Sequence, residues 1–513
     1  MHPNLPKFIP RVCYEIFVRS FCDSNGDGIG DLNGIISKMD YLADLGIEAI
    51  WLTPIHPAPS YHKYDPVDYY GIETEFGTME IFKNLLSEAH KRNIVVYLDL
   101  IVNHTSTYHP WFSEASKGPE NPFRHFYWWF SPEKIEELGI AKRQTSDDSD
   151  EVYPWHEIPG DNEKYYGLFW KGMPDLNYDS IPLRKELAKI NTFWLKEVGI
   201  DGFRLDAARH IYPIWEKEKN HDFWDYFNEV VRKAKPDAYT VAEVWAETWE
   251  VAPYLENLNA TFHFDLSFAL QRIVIQEKDE NLVQQLLASY SQFEVFNPDF
   301  VDAIMLTNHD QDRIGSVVGN HPGKIKLAAT LLLTLPGQPY IYYGEEIGML
   351  GTKPDPYIRE PFLWSENEID ADKTNWLKAE FSTLKTIQPL SVQIENPDSI
   401  YSHYKKLIEL KKAFTALGQI LKPNLEEVES LDNEIIAYIR THETEPVLIV
   451  HNLSSEIKNI RLPESKANFK EILFSTTKSF ILENGALELT SYGSLILKES
   501  SKSLSTIDLS TVV

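Results

Sequence analysis

Four short apolar runs in this chain end abruptly in reactive side chains: Asp99 to His104, Gly202 to Asp206, Val241 to Glu243 and Leu306 to Asp310. Asp206, Glu243 and Asp310 put one carboxylate at the end of each of three runs. Two carboxylates about 5 Å apart can cleave a glycosidic bond with retention, one attacking carbon while the other shuttles the proton. The proton donor needs a raised pKa, which partial burial and a neighbouring anion supply. A third carboxylate provides that field and can hold sugar hydroxyls. Arg204 lies two residues before Asp206 on the same strand face, placed to keep it ionised and aimed. His104 and His309 can donate to hydroxyls whose hydrogen bonds strengthen in an oxocarbenium-like transition state.

Apolar runs with polar tips are the mark of buried parallel strands, and reactive groups at their carboxyl ends are how a (β/α)8 barrel builds a site. The rest of the chain agrees. Strand-like runs at 12–17, 49–54 and 94–102 alternate with helical patterns at 33–45 and 78–92. The rhythm stops from 105 to 179, a stretch of aromatics, prolines and charges too long for a bare loop and read as an inserted subdomain. It resumes with a helix at 183–198, a strand ending at Asp206, a helix at 222–233, and strands ending at Glu243, near Asp265 and at Asn308. A helix at 324–335, an eighth strand at 339–344 and a closing helix at 399–414 complete the barrel. Short alternating runs at 434–440, 446–451, 457–462 and 494–498 indicate a carboxy-terminal antiparallel β-sandwich, and the last dozen residues are expected to fray. The expected fold is α/β: a TIM barrel with an inserted subdomain after the third strand and a terminal β-domain. Its parts are barrel at 1–104, insertion at 105–179, barrel at 180–421 and β-domain at 422–513.

A chain of 513 residues with net charge −28 is poorly suited to nucleic acid or an acidic membrane, whose phosphates call for positive charge. It suits a neutral substrate or a bound cation. Aromatic residues make up 13%, mostly core by expectation, though planar rings also stack on sugar faces. Cys13 and Cys22 have neither the number nor the spacing of a disulfide framework or a zinc site. The amino terminus has no basic region followed by an apolar stretch, and no apolar run is long enough to span a bilayer, so a cytoplasmic protein is expected, or a secreted one if a leader was removed before numbering.

The segment Asp23-Ser-Asn25-Gly-Asp27-Gly28-Ile29-Gly-Asp31 alternates oxygen side chains and carries a glycine for a sharp turn, as calcium loops open. Position twelve of an EF-hand would be Gly34 rather than glutamate, so it is not an EF-hand. An Asx-turn without metal, or a magnesium site, has the same local pattern.

Together these runs resemble the four signature regions of the α-amylase family of glycoside hydrolases, and the likeness extends over nearly the whole chain. Agreement continues at Gly46 to Pro54, at Met173-Pro-Asp-Leu-Asn177 and at Gly337 to Gly344. The resemblance implies Asp206 as nucleophile, Glu243 as general acid/base and Asp310 as transition-state stabiliser, with Arg204, His104 and His309 orienting substrate. Tyr64 would stack on the glucose whose bond is cut and Asp65 would hold its outer hydroxyls. Asp23, Asn25, Asp27, the Ile29 carbonyl and Asp31 would bind a calcium ion after the first strand. A second calcium, with Asn103, Asp175 and the His210 carbonyl as ligands, is left open. Ala207 after the nucleophile, and Ala207-Ala-Arg-His210 with His210 on the leaving side, resemble enzymes of α-1,4 bonds. Tyr64-Asp65 and residues 396–400 instead resemble exo-acting oligo-glucosidases. The implied activity is cleavage of α-1,4 bonds in glucans or maltodextrins; separately, a monomer is expected. An α-glucosidase or oligo-glucosidase, a 4-α-glucanotransferase or, remotely, a non-catalytic carbohydrate-binding or transporter-partner relative are the alternatives; retention of all three carboxylates opposes the last.

Overall fold

In a computed structural model, the structure describes residues 5–142, 153–367, 370–421, 424–429, 432–476, 480–481 and 486–500. Eight parallel strands close into one barrel: β1 (Cys13–Ile16), β2 (Ala49–Leu52), β3 (Val95–Leu100), β4 (Gly202–Leu205), β5 (Tyr239–Ala242), β6 (Ala260–Phe262), β7 (Val301–Met305) and β8 (Gln338–Tyr342). Every strand pairs with its neighbours in sequence, and β8 returns to β1 in the register Cys13 to Tyr340. Parallel strands carry helices on the outside and packed side chains within, so their residues are buried on both faces. Trp51, Tyr97, Tyr239, Phe262 and Tyr340 fill the lumen, with the rings of Tyr97 and Tyr239 stacked at 4.8 Å. That aromatic plug is the floor of the site above it.

The helix Met79–Lys91 illustrates the outer layer: Thr78 Oγ1 accepts from the Ile81 N–H at its start, and Phe82, Leu85, Leu86 and Ala89 form the buried stripe. Three details depart from the sequence expectations. The helix expected at 33–45 is two, Leu32–Ser37 and Met39–Leu45, meeting at Lys38. The helix expected at 183–198 is α only over Ile181–Thr192 and continues as a π-helical stretch over Phe193–Val198. The sixth strand ends at Phe262 rather than near Asp265, which lies in the first turn of the helix Phe264–Gln276. The helix Leu282–Phe296 has no counterpart among the expectations, because its buried Leu282, Val283, Leu286, Tyr290 and Phe293 are diluted by polar residues.

Between β3 and β4 the insertion folds around a three-stranded antiparallel sheet of Trp129–Phe130, Lys164–Tyr166 and Trp155–Glu157. Beyond the barrel, a five-stranded antiparallel sheet faces a three-stranded one across Ile435, Ile439, Leu448, Val450, Leu487 and Leu497. The sequence pattern anticipates only part of it; Phe469–Ser475 lacks strict alternation, and Leu487–Leu489 alternates over only three residues. Arg440 ties this sandwich to the barrel, donating from Nη1 to the Thr334 carbonyl at 2.7 Å. The expected boundary at 422 and the expected frayed terminus lie outside the described residues. Among the described residues no helix is long and apolar enough to cross a membrane.

Candidate active site

Arg204, on β4 and fully buried, organises the barrel mouth. Its Nη1 donates to Asp99 Oδ1 at 2.9 Å and to Asp206 Oδ1 at 2.5 Å, while Nη2 lies 3.0 Å from Glu243 Oε2. One planar guanidinium therefore spans carboxylates from β3 and from the ends of β4 and β5, keeping Asp206 and Glu243 close neighbours. Burial alone would lower the arginine's pKa; the carboxylates around it, Asp99 foremost, raise it well above its ordinary value. Asp99 in turn is pushed up to about 6, chiefly by burial and despite Arg204.

Glu243 is placed by the turn after β4. Ala207 adopts a left-handed conformation with φ +46°, which aims its N–H at Glu243 Oε2 at 3.0 Å. A non-glycine residue held there stores strain at a site the surrounding structure over-determines. Burial raises the Glu243 pKa to about 8; Arg204 opposes the shift and the charges of Asp206 and Asp310 reinforce it. The carboxyl group thus carries its proton at neutral pH, as a general acid must. The expected consequence is an alkaline limb in kcat/KM. Activity is retained while Glu243 is protonated and falls as pH rises through about 8, read from initial rates across roughly pH 5–10.

Asp310 lies beyond β7. Burial would raise its pKa, but His309 and Arg359 outweigh that and hold it well below the usual carboxylate range. His309 Nδ1 donates to Glu15 Oε1 at 2.6 Å; Nε2 is 2.7 Å from Tyr64 Oη and 3.0 Å from Asp310 Oδ2. Although burial disfavours its charge, Asp310 and Glu15 raise the imidazole to about 10. Tyr64 stacks on His309 at 5.3 Å with an interplanar angle of 4°, and its hydroxyl donates to Asp99 Oδ2 at 2.9 Å. Arg359 Nη2 pairs with Asp310 Oδ1 at 2.8 Å and with Asp355 Oδ2 at 3.0 Å. Glu243 and Asp310 thus sit in opposite electrostatic surroundings at one barrel mouth. This is the arrangement that separates a proton donor from a fixed anion.

Tyr64, His104, Asp206, His210, Glu243, His309 and Asp310 line one cavity of about 530 Å³, so most of the expected residues are brought together. Arg204 is beneath them rather than on the wall. Asp65 is not on the wall: its Oδ1 is turned to the Ser60 hydroxyl and N–H, so it does not reach the cleft as expected. His104 reaches the cleft with its nitrogens engaged, Nε2 lying 2.8 Å from the Tyr64 carbonyl oxygen and Nδ1 2.9 Å from Asn103 Oδ1. Asn103 Nδ2 donates directly to the His210 carbonyl, so two of the residues considered for a second calcium bond each other. Glu15, Asp99 and Arg359 join the site without having been expected there. Glu15 and Asp99 carry a signal, an acid inside an otherwise apolar strand, where charge is buried only when paired. Arg359 carries none.

The acidic loop curls around its own carboxylates. Asp23 accepts from the N–H groups of Asn25, Gly26 and Gly28 at 3.0, 2.8 and 2.7 Å; Asp31 accepts from Ser24 and from the Gly34 N–H. Gly28 has φ +90°, and a Cβ there would come within 1.9 Å of Asn375 Oδ1. Among the described residues no three His, Cys, Asp or Glu side chains already form a cluster that could hold a metal. The donors nevertheless fit calcium in kind: Asp23, Asn25, Asp27, the Ile29 carbonyl and Asp31 all offer hard oxygens from a single turn.

A closed barrel whose mouth pairs a protonated carboxyl with an arginine-held carboxylate is the framework of a glycoside hydrolase. Comparison with known proteins makes that class specific. The family described as Alpha amylase, catalytic domain, matches residues 15–419, and the Alpha-amylase SusG C-terminal domain matches 435–496. Alpha-amylase 3 of Dictyoglomus thermophilum is 41% identical, covering 96% of this chain and 94% of its own. Oligo-1,6-glucosidase of Bacillus cereus is 32% identical, over 95% of this chain and 98% of its own. The crystal structure of alpha-amylase from H. orenii superposes with a TM-score of 0.86 at 36% identity, covering 95% of this chain and 99% of that one. The chain belongs to the α-amylase family, and its activity is that of a glycoside hydrolase acting on glucans.

Proposed function

We propose that the protein hydrolyses α-1,4 bonds in starch-derived glucans and maltodextrins with retention, through a glycosyl-enzyme intermediate on Asp206. Glu243 protonates the departing oxygen and then deprotonates the incoming water, and Asp310 stabilises the developing charge. The observation that carries this reading is the raised Glu243 beside an Asp206 bound to the same guanidinium. Arg204 orients the nucleophile. Tyr64 and His309 form a stacked wall for the cleaved glucose, with His104 on the same side and His210 towards the leaving chain. Asp65 would join them only if it gave up Ser60. Ala207 is small where it borders the cleft, leaving room for the aglycone of an α-1,4 bond. The protein is further proposed to act as a cytoplasmic monomer.

Hydrolysis, exo action and transfer use the same acids, and products separate them. In a time course on maltoheptaose, internal fragments such as maltotriose and maltotetraose are expected first, with isomaltose left intact. Glucose alone, or isomaltose cleavage, would instead identify an exo-acting glucosidase, and oligomers longer than the substrate a transferase.

The loop from Asp23 to Asp31 is proposed to bind calcium through Asp23, Asn25, Asp27, the Ile29 carbonyl and Asp31. The ion would offset two of the three negative charges of Asp23, Asp27 and Asp31 and brace the connection after β1. Since ligand at about 100 times its Kd stabilises by about 2.7 kcal/mol, chelation should lower Tm by roughly 2–4 °C or more, restored by calcium in excess. No bound ion by mass spectrometry and no shift with chelator would reject the site.

A further inference from the structure

Trp170 stands in the wall of the catalytic cleft, 46% exposed, on the segment that leads from the insertion back towards β4. Most tryptophans of this chain use their indole N–H inside the fold: Trp51 donates to Asp99, Trp128 to the Leu176 carbonyl, Trp155 to that of Ile140 and Trp194 to that of Tyr69. The more exposed Trp249 donates to Glu247. Among the described residues the Trp170 side chain has neither a hydrogen-bond partner nor an aromatic neighbour. Tryptophan, with an apolar ring and a polar N–H, is enriched where one side meets a ligand or a wet interface.

The backbone around it is pinned. Tyr165 Oη donates to the Lys171 carbonyl at 2.6 Å, the Thr107 N–H to the Gly172 carbonyl at 3.0 Å, and the Met173 N–H to the Trp170 carbonyl at 3.0 Å. The Leu168 N–H donates to Asp175 Oδ1 at 3.0 Å. Gly172 is the seat of the ring: a Cβ there would lie 2.2 Å from Cζ2, 2.5 Å from Cη2 and 2.6 Å from Cε2 of Trp170. The six-membered part of the indole lies against the bare Gly172 backbone, and a side chain at Gly172 would displace it. Next to it, Phe169 presents its ring edge-on to both His104 and His210, at 5.4 and 5.9 Å, so this segment spans the two sides of the site. A pyranose offers a flat patch of C–H groups and a rim of hydroxyls, which match a free ring face and a free N–H.

We propose that Trp170, seated on Gly172, is a chain-length-reading platform. Its indole stacks on a glucosyl unit beyond the one being cleaved, and its N–H donates to a hydroxyl of that unit. The inference rests on the glucan-cleaving function proposed above. It adds a residue that discriminates long from short substrates without touching the reacting atoms.

The test compares maltoheptaose with α-glucosyl fluoride, which supplies only the cleaved glucose and its leaving group. In Trp170→Ala, KM for maltoheptaose is expected to rise roughly tenfold more than KM for the fluoride, with the wild-type order restored in part by Trp170→Phe. Gly172→Ala should reproduce the selective KM rise with the indole still present, because the methyl lifts the ring off its seat. Equal losses on both substrates with a fall in Tm would mean that Trp170 merely packs the loop, and an unchanged KM ratio would mean that it touches no sugar; either overturns the platform. Failure of the wild-type protein to hydrolyse α-glucosyl fluoride would instead count against the glycosidase reading itself.

Discussion

Asp206→Asn should reduce kcat on maltoheptaose by on the order of 10⁴-fold, a barrier increase of about 5 kcal/mol, while leaving the protein folded. The substitution removes one charge and almost no volume. Arg204 keeps Asp99 at 2.9 Å and Glu243 at 3.0 Å, so no buried cation is stranded. What is lost is an oxygen nucleophile aimed by the guanidinium from the tip of β4. A structural role for Asp206 would show as a falling Tm and a modest rate loss. A nucleophilic role predicts a further result. In Asp206→Gly, azide can occupy the vacated space and attack the same carbon, giving a glycosyl azide of inverted configuration from α-glucosyl fluoride. Retained configuration in that product, or Asp206→Asn turnover within about tenfold of wild type, would remove Asp206 from the role proposed for it.

What can be read in the sequence follows the physics of burial. Strand tips are legible because β3, β4, β5 and β7 are apolar along most of their length, so each polar residue at an end stands out: His104, Asp206, Glu243 and Asp310. Residues whose role depends on side-chain direction are harder. Tyr64 and Asp65 are adjacent in the chain, yet the first stacks on His309 while the second turns to Ser60, and nothing in a Tyr-Asp pair encodes that divergence. Besides its neighbour His309, Asp310 has a partner 49 residues further on, in Arg359. Such a pairing is set by how the segment after β8 folds back over the mouth, which no local pattern records. The helix breaks at Lys38 and Phe193 are hidden for the opposite reason. Hydrophobic periodicity passes through both points, while regular α-helical hydrogen bonding does not.

Replacing the proton donor separates the two carboxylates by mechanism rather than by magnitude. Glu243→Gln is expected to cost about 10²–10⁴-fold on maltoheptaose, whose departing sugar hydroxyl needs a proton, and far less on α-glucosyl fluoride, whose leaving group needs little help. The alkaline limb near pH 8 should vanish in the same variant, because the titrating group has gone. Geometry supports a clean experiment. The Ala207 N–H can still donate to the amide oxygen, and Arg204 retains Asp99 and Asp206, so the substituted glutamine can occupy the position of the acid. The background pH dependence is then that of the remaining groups, among which His309 is held charged to about 10 by Asp310 and Glu15. A limb that survives in Glu243→Gln would place the titration elsewhere. Equal losses on maltoheptaose and on the fluoride would show that Glu243 holds the site together electrostatically instead of delivering the proton. The contrast with Asp206→Asn, which should fail on both substrates alike, is what assigns the two roles.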